Sequence, residues 1–161
     1  MAEPSSTGAP STGDGVAFNH IGLCVRDLAR SRTFYEEALG FRFWWEFDAP
    51  EEATRTLLGL SGPAGLHACY LVRDGLVLEL LHFSDGEHPP ARHRSFDEPG
   101  LTHLSVAVED REATLARVRA LGGEVVEQSD VRAAVMVRDP DGQLVELTSW
   151  SWRSRVPPLP S

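Results

Sequence analysis

Lysine is absent from this chain of 161 residues, and all 15 of its basic side chains are arginine. Without a lysine amine, no side chain can form a Schiff base with a carbonyl substrate. The 24 acidic residues outnumber the basic ones and give a net charge of −9 at pH 7. An acidic chain without a basic stripe argues against a nucleic-acid partner and against an anionic membrane surface.

Cysteine and long apolar runs are also scarce. Cys24 and Cys69 are too few for a disulfide framework, so we expect a reducing, cytoplasmic environment. No apolar run is long enough to span a membrane, and the first residues lack the pattern of a signal peptide. The hydrophobic fraction of 42% is sufficient for a core, in one domain or in two small modules fused around a shared cavity.

The two halves of the chain repeat each other. Residues 19–27 (NHIGLCVRD) match residues 102–110 (THLSVAVED), and residues 76–80 (LVLEL) match residues 143–147 (QLVEL). Each half therefore opens with a strand that carries a histidine and closes with a strand that carries a glutamate.

Four potential metal ligands stand at matching points of this repeat: His20, Glu79, His103 and Glu146. Two imidazoles and two carboxylates suit a divalent ion such as Zn²⁺, Fe²⁺, Mn²⁺, Co²⁺ or Ni²⁺. The sequence therefore predicts one bound divalent metal ion, whose identity the residues leave open.

The periodicity of the chain predicts an α+β fold with two βαβββ modules. We expect residues 16–83 to form the first module and residues 101–152 to form the second, joined by a linker at 84–100. Residues 1–15 are predicted to be a disordered tail, and residues 153–161 a flexible one.

The alternation within the first strand of each module predicts where the cavity lies. A sheet face that is covered by a helix must be apolar, so the two histidines point to the opposite face. Cys24 shares that face with His20, and Ser105 shares it with His103. Small and polar side chains at these positions predict a cavity, in which Cys24 and Ser105 are candidate substrate-binding residues.

A strand predicted at residues 41–47 adds a third candidate substrate-binding residue, Trp44. Strict alternation places Phe41, Phe43, Trp45 and Phe47 on one face. Trp44 is then on the other face, where it either forms a wall of the cavity or lies on the outer surface.

Three residues are candidates for proton transfer. Glu79 lies in an apolar run, and a carboxylate is costly to bury unpaired, so it either faces solvent or binds something. A glutamate beside a metal ion can also move a proton if its metal bond is weak, which makes Glu79 and Glu146 the predicted catalytic acids and bases. His67 is a possible second proton carrier.

These motifs resemble the vicinal oxygen chelate superfamily, which includes glyoxalase I, methylmalonyl-CoA epimerase, extradiol dioxygenases and bleomycin or fosfomycin resistance proteins. The resemblance covers residues 17–150, and its best local motifs lie at 19–22, 34–35, 39–41 and 139–147. It implies that the curved mixed sheets of the two βαβββ modules surround a shared cavity containing one metal ion. The implied ligands are His20, Glu79, His103 and Glu146, with Glu146 favoured as the base.

The resemblance implies an enzyme: a metal-dependent isomerase, epimerase or lyase that enolises a small carbonyl substrate with vicinal oxygens. One alternative is an Fe²⁺ extradiol-type dioxygenase, in which the position of Glu79 is not a ligand. Another is a metal-free drug-binding resistance protein, a class that typically lacks the ligand set. The expected partners are a small-molecule substrate and a second copy of the chain. The modules could pair within one chain or between two.

Three departures from the family patterns bear on the substrate. Bacterial glyoxalase I resembles this chain but has an arginine at the position of Cys24 and an asparagine at that of Phe83. Both help to hold glutathione, so their replacement counts against a glutathione thiohemiacetal. The catalytic glutamate of methylmalonyl-CoA epimerase falls near Ala64, which counts against the usual two-base epimerase mechanism.

Overall fold

The computed structural model describes residues 15–85 and 96–154. The first module contains β1 (Ile21–Cys24), α1 (Leu28–Glu37), β2 (Arg42–Asp48), α2 (Glu51–Leu58), β3 (Leu66–Arg73) and β4 (Leu76–Phe83). The second contains β5 (His103–Val108), α3 (Arg111–Ala120), β6 (Glu124–Val125), β7 (Ala134–Arg138) and β8 (Leu144–Ser149). Short 3₁₀ turns lie between β6 and β7, at Glu127–Ser129, and after β8, at Trp150–Ser154. Most of each predicted tail and of the predicted linker lies outside the described residues.

Each module forms an open, four-stranded mixed sheet. The strand orders are β1-β4-β3-β2 and β5-β8-β7-β6. In each sheet the first strand of the module runs parallel to its last strand, and the other neighbours are antiparallel. The α+β class and the two βαβββ modules are therefore confirmed.

The two helices that cover the sheets begin in the same way. Asp27 accepts a hydrogen bond of 3.0 Å from the backbone N–H of Arg30, and Asp110 accepts one of 2.9 Å from that of Ala113. A side-chain acceptor of this kind satisfies a free N–H of the first helical turn. Each helix therefore starts shortly after the first strand of its module, and it covers the same face of the sheet in both modules.

A two-residue turn sets the register between β3 and β4. Asp74 and Gly75 have φ angles of 48° and 82°, the left-handed conformation that a tight hairpin requires at both central positions. Arg73 therefore pairs with Leu76, and counting outward pairs Tyr70 with Glu79. This register decides which side chain of β3 lies beside Glu79.

The alternation predicted for β2 is wrong in its middle. A register shift between Phe43 and Trp45 interrupts the pairing with β3, so that Phe43 pairs with Leu71 and Trp45 with Tyr70. Phe43 lies on the helix side, where the guanidinium of Arg32 sits 4.0 Å from its ring centroid. The bulge therefore separates residues that strict alternation would place on one face.

One hydrophobic core joins the two modules. It includes Phe34 and Tyr35 of α1, Val118 of α3 and Val137 of β7. Because this core covers the helix-facing side of both sheets, the opposite faces are left open, and Trp44 on the first of them is 52% exposed. Among the described residues, no helix is long and apolar enough to cross a lipid bilayer.

Candidate functional site

His20 and Glu79 form a close pair on the open face of the first sheet. The Nε2 atom of His20 lies 2.9 Å from Oε2 of Glu79. The Nδ1 atom of His20 lies 2.6 Å from the side-chain oxygen of Asn19. Because that amide oxygen can only accept, Nδ1 is the donor of this contact, and Nε2 faces the carboxylate of Glu79.

Tyr70 engages the other oxygen of the same carboxylate. Its hydroxyl donates a hydrogen bond of 2.5 Å to Oε1 of Glu79. Burial, together with the hydrogen bond and the negative charge of Glu79, raises the pKa of Tyr70, so the hydroxyl keeps its proton. Glu79 is only 8% exposed, and these contacts supply the partners that a buried carboxylate needs.

Aromatic rings surround Tyr70 on this face. The ring centroids of Trp45, Trp44 and Phe47 lie 5.2, 6.3 and 6.3 Å from that of Tyr70. We call these four residues the aromatic wall. The bulge in β2 places the rings of both tryptophans against Tyr70. Trp44 therefore lies on the open face of the first sheet and not on the face that the helix covers.

His103 and Glu146 form the corresponding pair in the second module. Their Nε2 and Oε2 atoms are 3.7 Å apart. The Nδ1 atom of His103 lies 2.8 Å from Oγ1 of Thr102, and Ser105 donates a hydrogen bond of 2.8 Å to Oε2 of Glu146. In both modules, therefore, the residue before the histidine orients the ring, and Nε2 faces a glutamate.

The two pairs do not meet within one chain. Across residues 15–85 and 96–154, no three His, Cys, Asp or Glu side chains are close enough together to hold a metal ion. We call His20 with Glu79 the first half-site and His103 with Glu146 the second half-site. Each offers one nitrogen and one oxygen ligand, whereas ions such as Zn²⁺ take about four ligands. Within the described residues, therefore, the four predicted ligands do not form a single cluster.

The structure places the remaining predicted site residues on different faces. Cys24 lies two positions after Gly22, which pairs with Glu79, so Cys24 is on the open face. Burial, and then the charge of Asp141, raises the pKa of the Cys24 thiol, which disfavours the reactive thiolate.

His67 is not brought to the site. It lies three positions from Tyr70 on β3 and therefore on the opposite, helix-facing side of the sheet. Its Nδ1 atom is 2.7 Å from a carboxylate oxygen of Asp48. Strand parity turns His67 away from Glu79, so the structure does not bring this candidate proton carrier to the first half-site.

Sequence reasoning missed three residues that support the half-sites: Asn19, Tyr70 and Thr102. The signal for Asn19 and Thr102 is their position immediately before the repeated histidines. The signal for Tyr70 is the Asp74–Gly75 turn, since a two-residue hairpin loop fixes which residue faces Glu79.

The comparisons with known proteins agree with this architecture. A family described as the Glyoxalase/Bleomycin resistance protein/Dioxygenase superfamily matches residues 17–147. A lactoylglutathione lyase of Pseudomonas putida is 32% identical over 151 residues, covering 86% of this chain and 87% of the relative. One of Pseudomonas aeruginosa is 31% identical over 146 residues, covering 83% and 82%. At the level of the family, these relatives support a glyoxalase-type lyase.

Solved structures share the fold. A glyoxalase family protein from Bacillus cereus has a TM-score of 0.71 at 18% identity, covering 88% of this chain and 98% of that one. A fosfomycin resistance protein of Listeria monocytogenes, solved in complex with Mn(II) and sulfate, has a TM-score of 0.59 at 16% identity. That match covers 87% of this chain and 97% of the resistance protein.

Proposed function

We propose that this chain, which belongs to the glyoxalase/bleomycin resistance protein/dioxygenase superfamily, is a metal-dependent lyase or isomerase. Its substrate would be a carbonyl compound with a second oxygen on the neighbouring carbon. The observation that carries the proposal is the repeated pair of one imidazole and one carboxylate. In each pair the residue before the histidine binds Nδ1 and leaves Nε2 directed at the glutamate.

The donor set fits a borderline divalent ion. The two half-sites together supply two nitrogens and two carboxylates, a set suited to Zn²⁺, Fe²⁺, Mn²⁺, Co²⁺ or Ni²⁺. Histidine ligands are commonly oriented through their second ring nitrogen, as Asn19 and Thr102 do here. Ligands of this chemistry, held in this way, support metal binding over an ordinary surface ion pair.

A complete site would then require two copies of the chain. The first half-site of one copy would face the second half-site of the other, and a symmetric dimer would contain two such sites. The exposed aromatic wall supports this arrangement, because a second copy would cover part of that apolar surface. We therefore propose a homodimer with one metal ion per chain.

The chemistry follows from the groups that meet in such a site. When bound, the ion would polarise the substrate carbonyl and acidify the adjacent C–H bond. Glu146 takes that proton from the hydroxyl-bearing carbon next to the carbonyl and delivers it to the former carbonyl carbon, while the hydroxyl proton passes to the former carbonyl oxygen. The product is an isomer of the substrate, so no oxidant or other reactant is needed. The side chain of Glu146 is 25% exposed, which leaves it accessible to a substrate.

The substrate class is suggested by the open face of the first module. The relatives' name points to a thiohemiacetal of a 2-oxoaldehyde as the first compound to test. The residues around Glu79 are apolar and aromatic, and the positions of Cys24 and Phe83 carry no charge. We therefore propose a thiohemiacetal or hydroxyketone whose side group is apolar or aromatic, held against Trp44 and Trp45.

The test begins with protein purified without chelators. Metal analysis should find about one divalent ion per chain, and the loaded protein should convert the thiohemiacetal formed from phenylglyoxal and a thiol into a thioester. Solvent deuterium should appear at the carbon that receives the proton. Absence of metal from the purified and reconstituted protein would overturn the proposal. Consumption of dioxygen with a catechol would instead identify a dioxygenase.

A further inference from the structure

We propose that Tyr70 is the positioning residue of the first half-site, holding Glu79 so that a single oxygen, Oε2, is presented to the metal ion beside His20. This inference rests on the proposed function, because it concerns the ion which that function requires. It assigns different tasks to the two glutamates of the repeat.

The two oxygens of Glu79 have separate partners. Oε1 accepts the hydroxyl of Tyr70 at 2.5 Å, and Oε2 lies 2.9 Å from Nε2 of His20. A carboxylate whose one oxygen is already hydrogen-bonded is poorly suited to chelate an ion with both oxygens. The bond from Tyr70 therefore favours coordination through Oε2 alone.

Tyr70 is itself fixed in place. It lies directly opposite Glu79 in the register of β3 and β4, and its ring packs within the aromatic wall. The imidazole of His20 stands edge-on to the same ring, with 5.7 Å between centroids and 90° between planes. One rigid side chain therefore contacts both ligands of the half-site, which is the arrangement that keeps two donor atoms at a constant separation.

The second half-site lacks this support. Met136 takes the place of Tyr70, opposite Glu146 in the register of β7 and β8. Its thioether has no proton to donate. Ser105 donates instead to Oε2 of Glu146, the oxygen that also faces His103. The position of Ser105 corresponds to Gly22 in the first module, which has no side chain to offer.

Because only Glu79 has a tyrosine hydroxyl on one of its oxygens, we assign different roles to the two glutamates. The side chain of Glu79 is 11% exposed and that of Glu146 is 25% exposed. The more buried carboxylate, that of Glu79, whose Oε1 accepts the hydrogen bond from Tyr70, would hold the ion. The more exposed carboxylate of Glu146 would be the one that moves the proton.

The variant Tyr70→Phe removes the hydroxyl and keeps the ring. Tyr35→Phe is a matched control, because Tyr35 also donates its hydroxyl to a buried carboxylate, that of Asp139, which belongs to neither half-site. Both variants are compared with the unaltered protein by circular dichroism, by calorimetric titration with Zn²⁺, and by the visible absorption spectrum of the Co²⁺-loaded protein. The spectrum reports how many ligands surround the ion.

We expect Tyr70→Phe to weaken zinc binding by roughly 10- to 100-fold, the usual effect of removing a partner from a metal ligand. The cobalt absorption should also lose intensity as Glu79 becomes free to bind through both oxygens. Tyr35→Phe should bind both ions as the unaltered protein does. Zinc affinity and a cobalt spectrum unchanged in Tyr70→Phe would overturn the assignment of Tyr70, and so would equal losses in both variants. Failure of the unaltered protein to bind either ion would overturn the proposed function itself.

Discussion

The hydroxyl of Tyr35 donates a hydrogen bond of 3.0 Å to Oδ2 of Asp139, and this bond ties α1 of the first module to the turn before β8 of the second. Both residues are buried. Burial raises the pKa of the Asp139 carboxyl, while the backbone N–H groups of Gln143 and Asp141 and the hydroxyl of Tyr35 act in the opposite direction. The hydrogen bonds therefore offset part of the cost of burying a carboxylate between the modules.

Removing this bond should destabilise the chain. Tyr35→Phe leaves the buried carboxylate with one donor fewer, and we expect the free energy of unfolding to fall by about 1–3 kcal/mol. Thr33→Val is the control, since the exposed hydroxyl of Thr33 bonds only to its own helix, at Ala29. That change should cost less than about 0.5 kcal/mol. Equal losses in urea denaturation would show that the contact between Tyr35 and Asp139 does not stabilise the fold.

Removing either histidine should abolish metal retention. His20→Ala and His103→Ala each take one of four ligands, while the open face loses little packing, so the fold should persist. His67→Ala is the control, because His67 lies on the other face of the sheet and should leave the metal content unchanged. Circular dichroism and metal analysis of the three variants check this. Full metal content in both His20→Ala and His103→Ala would refute the ligand assignment.

Glu146→Gln should separate metal binding from proton transfer. The amide oxygen can still bind the ion, but the side chain can no longer accept the proton, so turnover should fall by about 10²–10⁴-fold. Uptake of solvent deuterium by the product should be lost with it. Exchange that continues at the rate of the unaltered protein would assign the base to another residue, and Glu79→Gln would be the next variant to measure.

Restoring the glyoxalase I pattern should improve the use of glutathione. Cys24 lies on the open face and is exposed, so an arginine has room there. In Cys24→Arg, a charge-assisted hydrogen bond to a glutathione carboxylate should lower KM for its thiohemiacetal by roughly 10-fold. Cys24→Met is the uncharged control of similar length. An equal KM in both variants would mean that this position does not contact the thiol portion of the substrate.

The histidine and glutamate pairs could be predicted from the sequence because the repeat places them equivalently and strand parity turns each histidine from the helix. The face on which His67 lies could have been read from the Asp74–Gly75 turn, because its two-residue loop pairs His67 with His82 and Tyr70 with Glu79. The bulge between Phe43 and Trp45 could not be predicted, because the aromatic residues around it follow the alternation of a regular strand.

The separation of the half-sites lay beyond sequence patterns for a different reason. A repeat specifies that two modules are alike, but it does not specify which copies pair around an ion. That choice depends on how the modules pack. Among the described residues, the shared core of α1, α3 and the sheets buries the helix-facing sides, and no three of the predicted ligands come together.

The most direct test of the account mixes two variants that are each inactive. His20→Ala and His103→Ala protein are unfolded together, refolded together, and assayed for bound metal and turnover. If each site takes its first half-site from one chain and its second from the other, every mixed dimer contains one site without defects. Random pairing then restores about a quarter of the sites of the unaltered protein. Metal content and activity that stay at the level of the separate variants would contradict a site shared between two chains.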